Sequence, residues 1–248
     1  MAIAFDAQSS NGKWTTPADA TVTWAHTCTG TNRALVVSYC TNQAQNVTGV
    51  TYNGVAMTQI NALAPGGNNK QSSWGLINPA SGANNIVVTF NTSLSYWDFC
   101  AVSFTGVNQS TAFGTPTTIY SNSNVADLNS AALVTTVANS WAVDFLCTGS
   151  DGSIFQMDSG QTLRSEIHNG MSACICSKLV ASPASVQMDV TNTNAGSANN
   201  YSSVTVEMFE VAAPVSSSRV SATGRVANTG RVAETGDVAA TGRVAASF

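Results

Sequence analysis

The sequence predicts an all-β protein: a two-sheet β-sandwich of jelly-roll-like topology, followed by an extended or β-structured C-terminal repeat tail. Three observations predict it. Apolar and polar residues alternate over short runs that Gly, Pro, Asn and Asp punctuate, and no run has convincing helical spacing. Charged residues make up 9% of the 248, against about 25% in ordinary globular chains, and polarity comes instead from the Ser, Thr, Asn and Gly of β surfaces and turns. The last thirty residues repeat a unit of six.

The strands follow in order. Val22, Trp24 and His26 alternate with Thr and Ala, and Thr29-Gly30-Thr31-Asn32 makes a turn. Residues 33–40 (RALVVSYC) read as a buried central strand. Residues 46–52 and 55–60 flank Asn53-Gly54, the strongest short hairpin signal. After a loop at 65–69, the run 71–77 (QSSWGLI) is expected to pair with 86–90 (IVVTF) across 78–82. Residues 97–105 (WDFCAVSFT) form a long strand closed by Gly106. A polar stretch, 108–130, holds one short strand at 118–120. Further strands are expected at 131–137, 140–147, 161–167, 172–180, 185–190 and 202–211. The predicted organisation is a β-sandwich at 1–213, a Pro/Ser linker at 214–218 and a repeat tail at 219–248.

The tail reads RVSATG, RVANTG, RVAETG, DVAATG, RVAASF. A step of six turns a helix by about 600°, so Val220, Val226, Val232, Val238 and Val244 make no helical stripe, and four Gly weaken a helix further. In an extended chain an even period keeps every Val on one face. One Val per six residues buries too little apolar surface to offset an ordering cost of about 1–2 kcal/mol per residue. The tail is therefore expected to order against another molecule, with Arg219, Arg225, Arg231, Arg243 and the terminal Phe248 as contacts.

Charge separates body from tail. Removing the tail's four Arg and its Glu234 and Asp237 from nine basic and thirteen acidic residues leaves five against eleven in the body, or −6, beside +2 in the tail. That balance argues against nucleic acid as a partner. The N-terminus lacks the pattern of a signal peptide, and no apolar run is long enough for a spanning helix. Six widely spaced cysteines, Cys28, Cys40, Cys100, Cys147, Cys174 and Cys176, are read as buried free thiols rather than a disulfide framework.

Residues 74–82 (WGLINPASG) with 86–90, 101–109 (AVSFTGVNQ) with 113–116, 50–58 (VTYNGVAMT) and 160–164 (GQTLR) carry a resemblance. They resemble, in the same order, a β-sandwich domain family of phage structural proteins and secreted bacterial surface proteins, over roughly residues 20–211. The tail resembles short repeats appended to phage head and fibre proteins. The resemblance implies the sandwich fold, which secreted and virion proteins share, and carries over no catalytic residue. Secreted members usually carry a signal peptide, a pattern this sequence lacks, so the expectation is a virion structural protein.

Other chemistry is weighed on single residues. His26 reads as a hydrogen-bonded core histidine and His168 as a turn residue. Cys174 and Cys176 share a strand face but lack the companions of a zinc site. Asp98 and Asp144 could form a glycosidase pair, but strand positions favour hydrogen-bonded or solvent-facing roles. Asp151, Asp158 and Asp189 sit near turns without a dense calcium loop. Trp74, Tyr96 and Trp97 are core candidates that could also stack on a sugar. The expectation is a non-enzymatic phage virion protein, a capsid decoration, cement or head-fibre subunit without cofactor or metal. It would associate with itself, a trimer favoured, and with a capsid or fibre protein, on the outer virion surface after assembly in the host cytoplasm. The rival readings are a glycan-binding fibre tip and an extracellular filament subunit built by strand addition.

Overall fold

The computed structural model describes residues 1–41, 46–63, 70–122, 125–149, 152–194 and 200–212. These contain seventeen strands and no helix. In the first half they are β1 (Ala4–Cys28), β2 (Ala34–Thr41), β3 (Val47–Tyr52), β4 (Val55–Ala56), β5 (Thr58–Leu63), β6 (Lys70–Ile77) and β7 (Gly82–Thr105). In the second they are β8 (Thr117–Ser121), β9 (Asp127–Asn129), β10 (Leu133–Val134), β11 (Ser140–Thr148), β12 (Phe155–Met157), β13 (Gln161–His168), β14 (Ser172–Val180), β15 (Ser185–Val186), β16 (Asp189–Asn192) and β17 (Tyr201–Met208).

β-Sandwich packing occurs here twice over. β1 and β7 pair along most of their length, with register breaks between Trp14 and Thr21. Residues 21–28 of β1, 86–90 of β7 and β3 form an outer layer; residues 4–14 of β1, 96–105 of β7, β2, β6 and β5 form an inner one. Val22, Trp24, Tyr52, Ile86 and Phe90 of the outer layer meet Leu35, Val37, Tyr39, Trp97 and Phe99 of the inner. Rings pack at 5.2 Å in Trp24–Phe99 and Tyr39–Phe99 and at 5.8 Å in Phe90–Trp97, separations at which aromatic pairs add to their burial.

The second half repeats this plan. Its inner sheet, β13-β14-β11-β17-β8, has the strand order of β5-β6-β2-β7-β1. Registers match as well: Ala34 opposes Ile77 and Phe104, while Trp141 opposes Leu179 and Met208. Both edge strands carry a bulge at the same place, after Thr58-Gln59 in β5 and after Thr162-Leu163 in β13. Even the entry turns agree, with Asn32 at φ 52° and Asn139 at φ 58°. The described body is an internal repeat, with residues 32–41 (NRALVVSYCT) answering 139–148 (NSWAVDFLCT).

The two inner sheets face each other over a third core, in which Val36, Cys100, Val102 and Phe104 meet Val143, Phe145, Ile175 and Val206. β2 and β11 are therefore buried on both faces, which explains their unbroken apolar runs. Cys40 and Cys147 form a disulfide between the sheets, with Cα atoms 5.8 Å apart. This corrects the all-thiol reading; Cys28, Cys100, Cys174 and Cys176 are free and buried as expected. The bridged cysteines are equivalent positions of the two halves, the relation expected where an approximate two-fold axis passes between them.

Two pairings differ from expectation. β6 pairs with β2 and β5, not with residues 86–90, which lie a layer away between β1 and β3. The Asn53-Gly54 hairpin forms, with φ of 49° and 77°, but its second strand ends at Ala56 and the chain crosses to the inner layer as β5. Residues 131–137 contribute only the two-residue β10.

Candidate functional site

The halves close unequally around the disulfide, and the difference leaves a groove. On one side, residues 4–14 of β1 pack on β13: Arg164 lies 5.3 Å from the Phe5 ring and 5.0 Å from Trp141, and Ser165 Oγ bonds Gln8 Oε1 at 3.3 Å. On the other side, no comparable packing joins the corresponding strands β5 and β8 among the described residues.

The segment joining the halves partly fills this opening. It runs antiparallel to the end of β17: the Asn108 N–H donates to Phe209 O (2.8 Å), Phe209 N–H to Ala112 O (2.9 Å) and Gly114 N–H to Glu207 O (2.8 Å). This places Phe113 over Gly75, where a Cβ would lie 2.5 Å from the ring; glycine is what lets the ring approach. Two depressions flank Phe113. One, of about 470 Å³, is lined by Thr58, Ile60, Leu76, Ile77 and Ala112. The other, of about 630 Å³, is lined by Pro116, Val134, Thr136, Glu207 and Phe209. Glu207 is 3% exposed. Its carboxylate accepts from the N–H groups of Thr136 (2.9 Å) and Val137 (3.0 Å) and from the Thr136 hydroxyl (2.9 Å). Those bonds occupy it in fixing the groove wall. The depressions thus combine an apolar floor with threonine walls.

The sequence-predicted assembly residues Arg219, Val220, Arg225, Val226, Arg231, Val232, Val238, Arg243, Val244 and Phe248 lie outside the described residues, as do Asp151 and the Pro/Ser linker. The remaining candidates fall in separate places. Asp98 and Asp144 are both fully buried. Asp98 lies on the face of β7 turned to the other half and accepts from the Asn169 N–H at 3.3 Å. Asp144 lies on the opposite face of β11, where its Oδ1 accepts from Ser203 Oγ (2.6 Å) and Thr205 Oγ1 (2.8 Å). A sheet separates them, so they are no carboxylate pair. Burial pushes Asp144 up to about 6, against the lowering pull of its two hydroxyl partners.

His26 is 2% exposed; its Nδ1 meets Ser9 Oγ at 2.8 Å, and Trp24 Nε1 donates to the same oxygen at 3.0 Å. Burial lowers its pKa to about 4 against the nearby Asp6, so the ring is neutral. His168 ends β13, bonded to Ser172 Oγ (2.9 Å) and Glu166 (3.2 Å). Cys174 and Cys176 share a face in the outer core of the second half, and burial raises both thiols far above the usual range. No group of three or more His, Cys, Asp or Glu suited to a metal occurs among the described residues.

Trp74 and Trp97 are core residues at 7% and 2% exposure, which removes them as sugar platforms. Tyr96 is half-buried and packs at 4.3 Å against Trp14, which is 40% exposed. The sequence reading missed Trp14 because residues 4–20 carry no clean alternation; a lone Trp in a Thr-rich run was the available signal. No family model, curated protein or solved structure matches this chain.

Proposed function

We propose that this chain is a bacteriophage virion structural protein, a capsid decoration, cement or head-fibre subunit whose C-terminal repeats bind neighbouring subunits. One observation carries the reading. The body completes its cores by Val211, which donates its N–H to Gly106 O at 2.9 Å, and its last strand, β17, lies inside the sheet between β11 and β8. The thirty repetitive residues that follow are not needed to close the fold, and their regularity fits a role outside it. Repeated weak contacts in a symmetric shell become collectively strong through high effective concentration. Each half is read as a jelly-roll-like sandwich, supported by the common strand order.

Full-length chain and a chain ending at Ala213 should be compared by sedimentation velocity and by capsid co-sedimentation. The full chain assembles beyond what the shorter one reaches. Equal association and equal attachment would sink the proposal.

The Trp14–Tyr96 pair favours one second reading, a fibre tip that stacks on a cell-surface glycan. Selective binding on a glycan array, lost in Trp14→Ala, would support it; an array blank for the full chain would remove it.

A further inference from the structure

We propose that the outer edge of β1, residues 21–28, is a body–body interface, pairing antiparallel with the same strand of a second copy to give one continuous sheet. This contact is independent of the repeat tail.

These residues pair with β7 without a register break, from Thr21 opposite Thr89 to Cys28 opposite Gly82, and no strand pairs with their outer side among the described residues. The groups that face outward follow from the ladder. The Asn53 N–H donates to Asn85 O at 3.0 Å, so Asn85 turns its backbone to β3. Antiparallel neighbours alternate, so Asn84 and Ile86 face β1, and their partners His26 and Trp24 face back. Thr21, Thr23, Ala25 and Thr27 therefore direct their N–H and C=O groups away from the sheet.

Such an edge templates pairing unless it is short, bulged, charged, proline-bearing or covered. The other edges have these protections. β5 and β13 are bulged, and β13 carries Arg164 and Glu166. Residues 4–14 of β1 break register at Asp6 and lie against β13. β4, β9 and β12 have two or three residues, and β8 has five. From Thr21 to Cys28 there is no charged residue, proline or bulge.

The edge is also complementary to itself. An antiparallel two-fold centred on Trp24 sets Thr21 opposite Thr27 and Thr23 opposite Ala25, so every outward backbone group finds a partner and no charges oppose. Thr–Thr neighbours are favourable in such ladders. β4, β3, β7 and β1 of one copy would then run on into the same four of the other. The far end of the molecule does not offer this. There Asp127 and Asp158 are exposed near Asp189, whose pKa is raised by burial and by those two neighbours, and this surface keeps to water.

The test is hydrogen exchange of the full chain over about a hundredfold concentration range, with sedimentation equilibrium alongside. Amides of Thr21, Thr23 and Thr27 should slow as concentration rises. Ala25→Pro removes an outward N–H at an edge position, where proline is tolerated, so the variant should still fold, lose that protection and dimerise at least about tenfold more weakly. Thr23→Lys should do the same by placing charge beside the axis. Exchange independent of concentration, or a folded Ala25→Pro with unchanged dimerisation, overturns the proposal. Removing residues after Ala213 tests the tail separately: protection that survives leaves the edge to a second copy, and protection lost with the tail assigns it to the tail instead.

Discussion

Replacing both Cys40 and Cys147 with Ala removes the covalent link between equivalent strands of the two halves. The bridge spans 107 residues. Loop-closure entropy for that span gives about 4.8 kcal/mol at 25 °C. Both sulfurs are fully buried in the core between the inner sheets, so their loss adds a cavity cost on the order of 1 kcal/mol. A destabilisation of about 4–6 kcal/mol is therefore expected, a large part of the 5–15 kcal/mol typical of natural proteins. Urea unfolding measures it, comparing the oxidised protein, the same protein in reductant and the Cys40→Ala/Cys147→Ala variant. The urea dependence should steepen without the link, because the unfolded chain expands and exposes more surface. A loss below about 1 kcal/mol with an unchanged slope would refute the reasoning. It would mean either that the bridge does not form or that the halves unfold separately.

Three further outcomes follow from the buried groups and the groove. Asp144 has a folded pKa of about 6, above its ordinary 3.8, so the stability it allows is complete below pH 3.8 and falls as pH rises through 6; Asp144→Asn should stabilise by about 3 kcal/mol at pH 8 and little at pH 3.5 in urea unfolding. His26 has the opposite sign: with a folded pKa of about 4 against 6.5, its stability is complete above pH 6.5 and falls by about 3 kcal/mol as pH drops through 4. His26→Gln should remove that contribution, and because the contributions of His26 and Asp144 run in opposite directions between pH 4 and 6, the two single variants should change the parent's pH slope in opposite senses. Gly75→Ala drives a methyl into Phe113 and should cost about 1–3 kcal/mol in thermal or urea melts, with Phe113→Leu restoring part of it in the double variant.

Most strands were legible because alternation and turn residues are local signals. The Asn53-Gly54 turn, the run 33–40 and the run 140–147 all lie where periodicity places them. Pairing was not legible in the same way. Trp74 and Ile86 sit in neighbouring runs with a good turn between them, yet they belong to different layers, because β7 continues past Phe90 and needs both its arms against β1. The disulfide was missed for a related reason: Cys40 and Cys147 each end an apolar run, and only the likeness of residues 32–41 to 139–148 marks them as partners. Burial of Asp98 and Asp144 was hidden because strand parity cannot say that both faces of a central strand are covered.

The first and last residues of the body lie side by side, and this has a mechanical consequence. The N-terminal amine of Met1 lies 3.5 Å from the Glu210 carboxylate, and Val211 is held by Gly106 beside Ala2. Anything joined covalently at either end thus pulls on the same small spot. Force along such a connection would load neighbouring backbone bonds there and leave the stacked sheets unsheared, so under such a load the body would behave as a pendant rather than as a link in a strained chain.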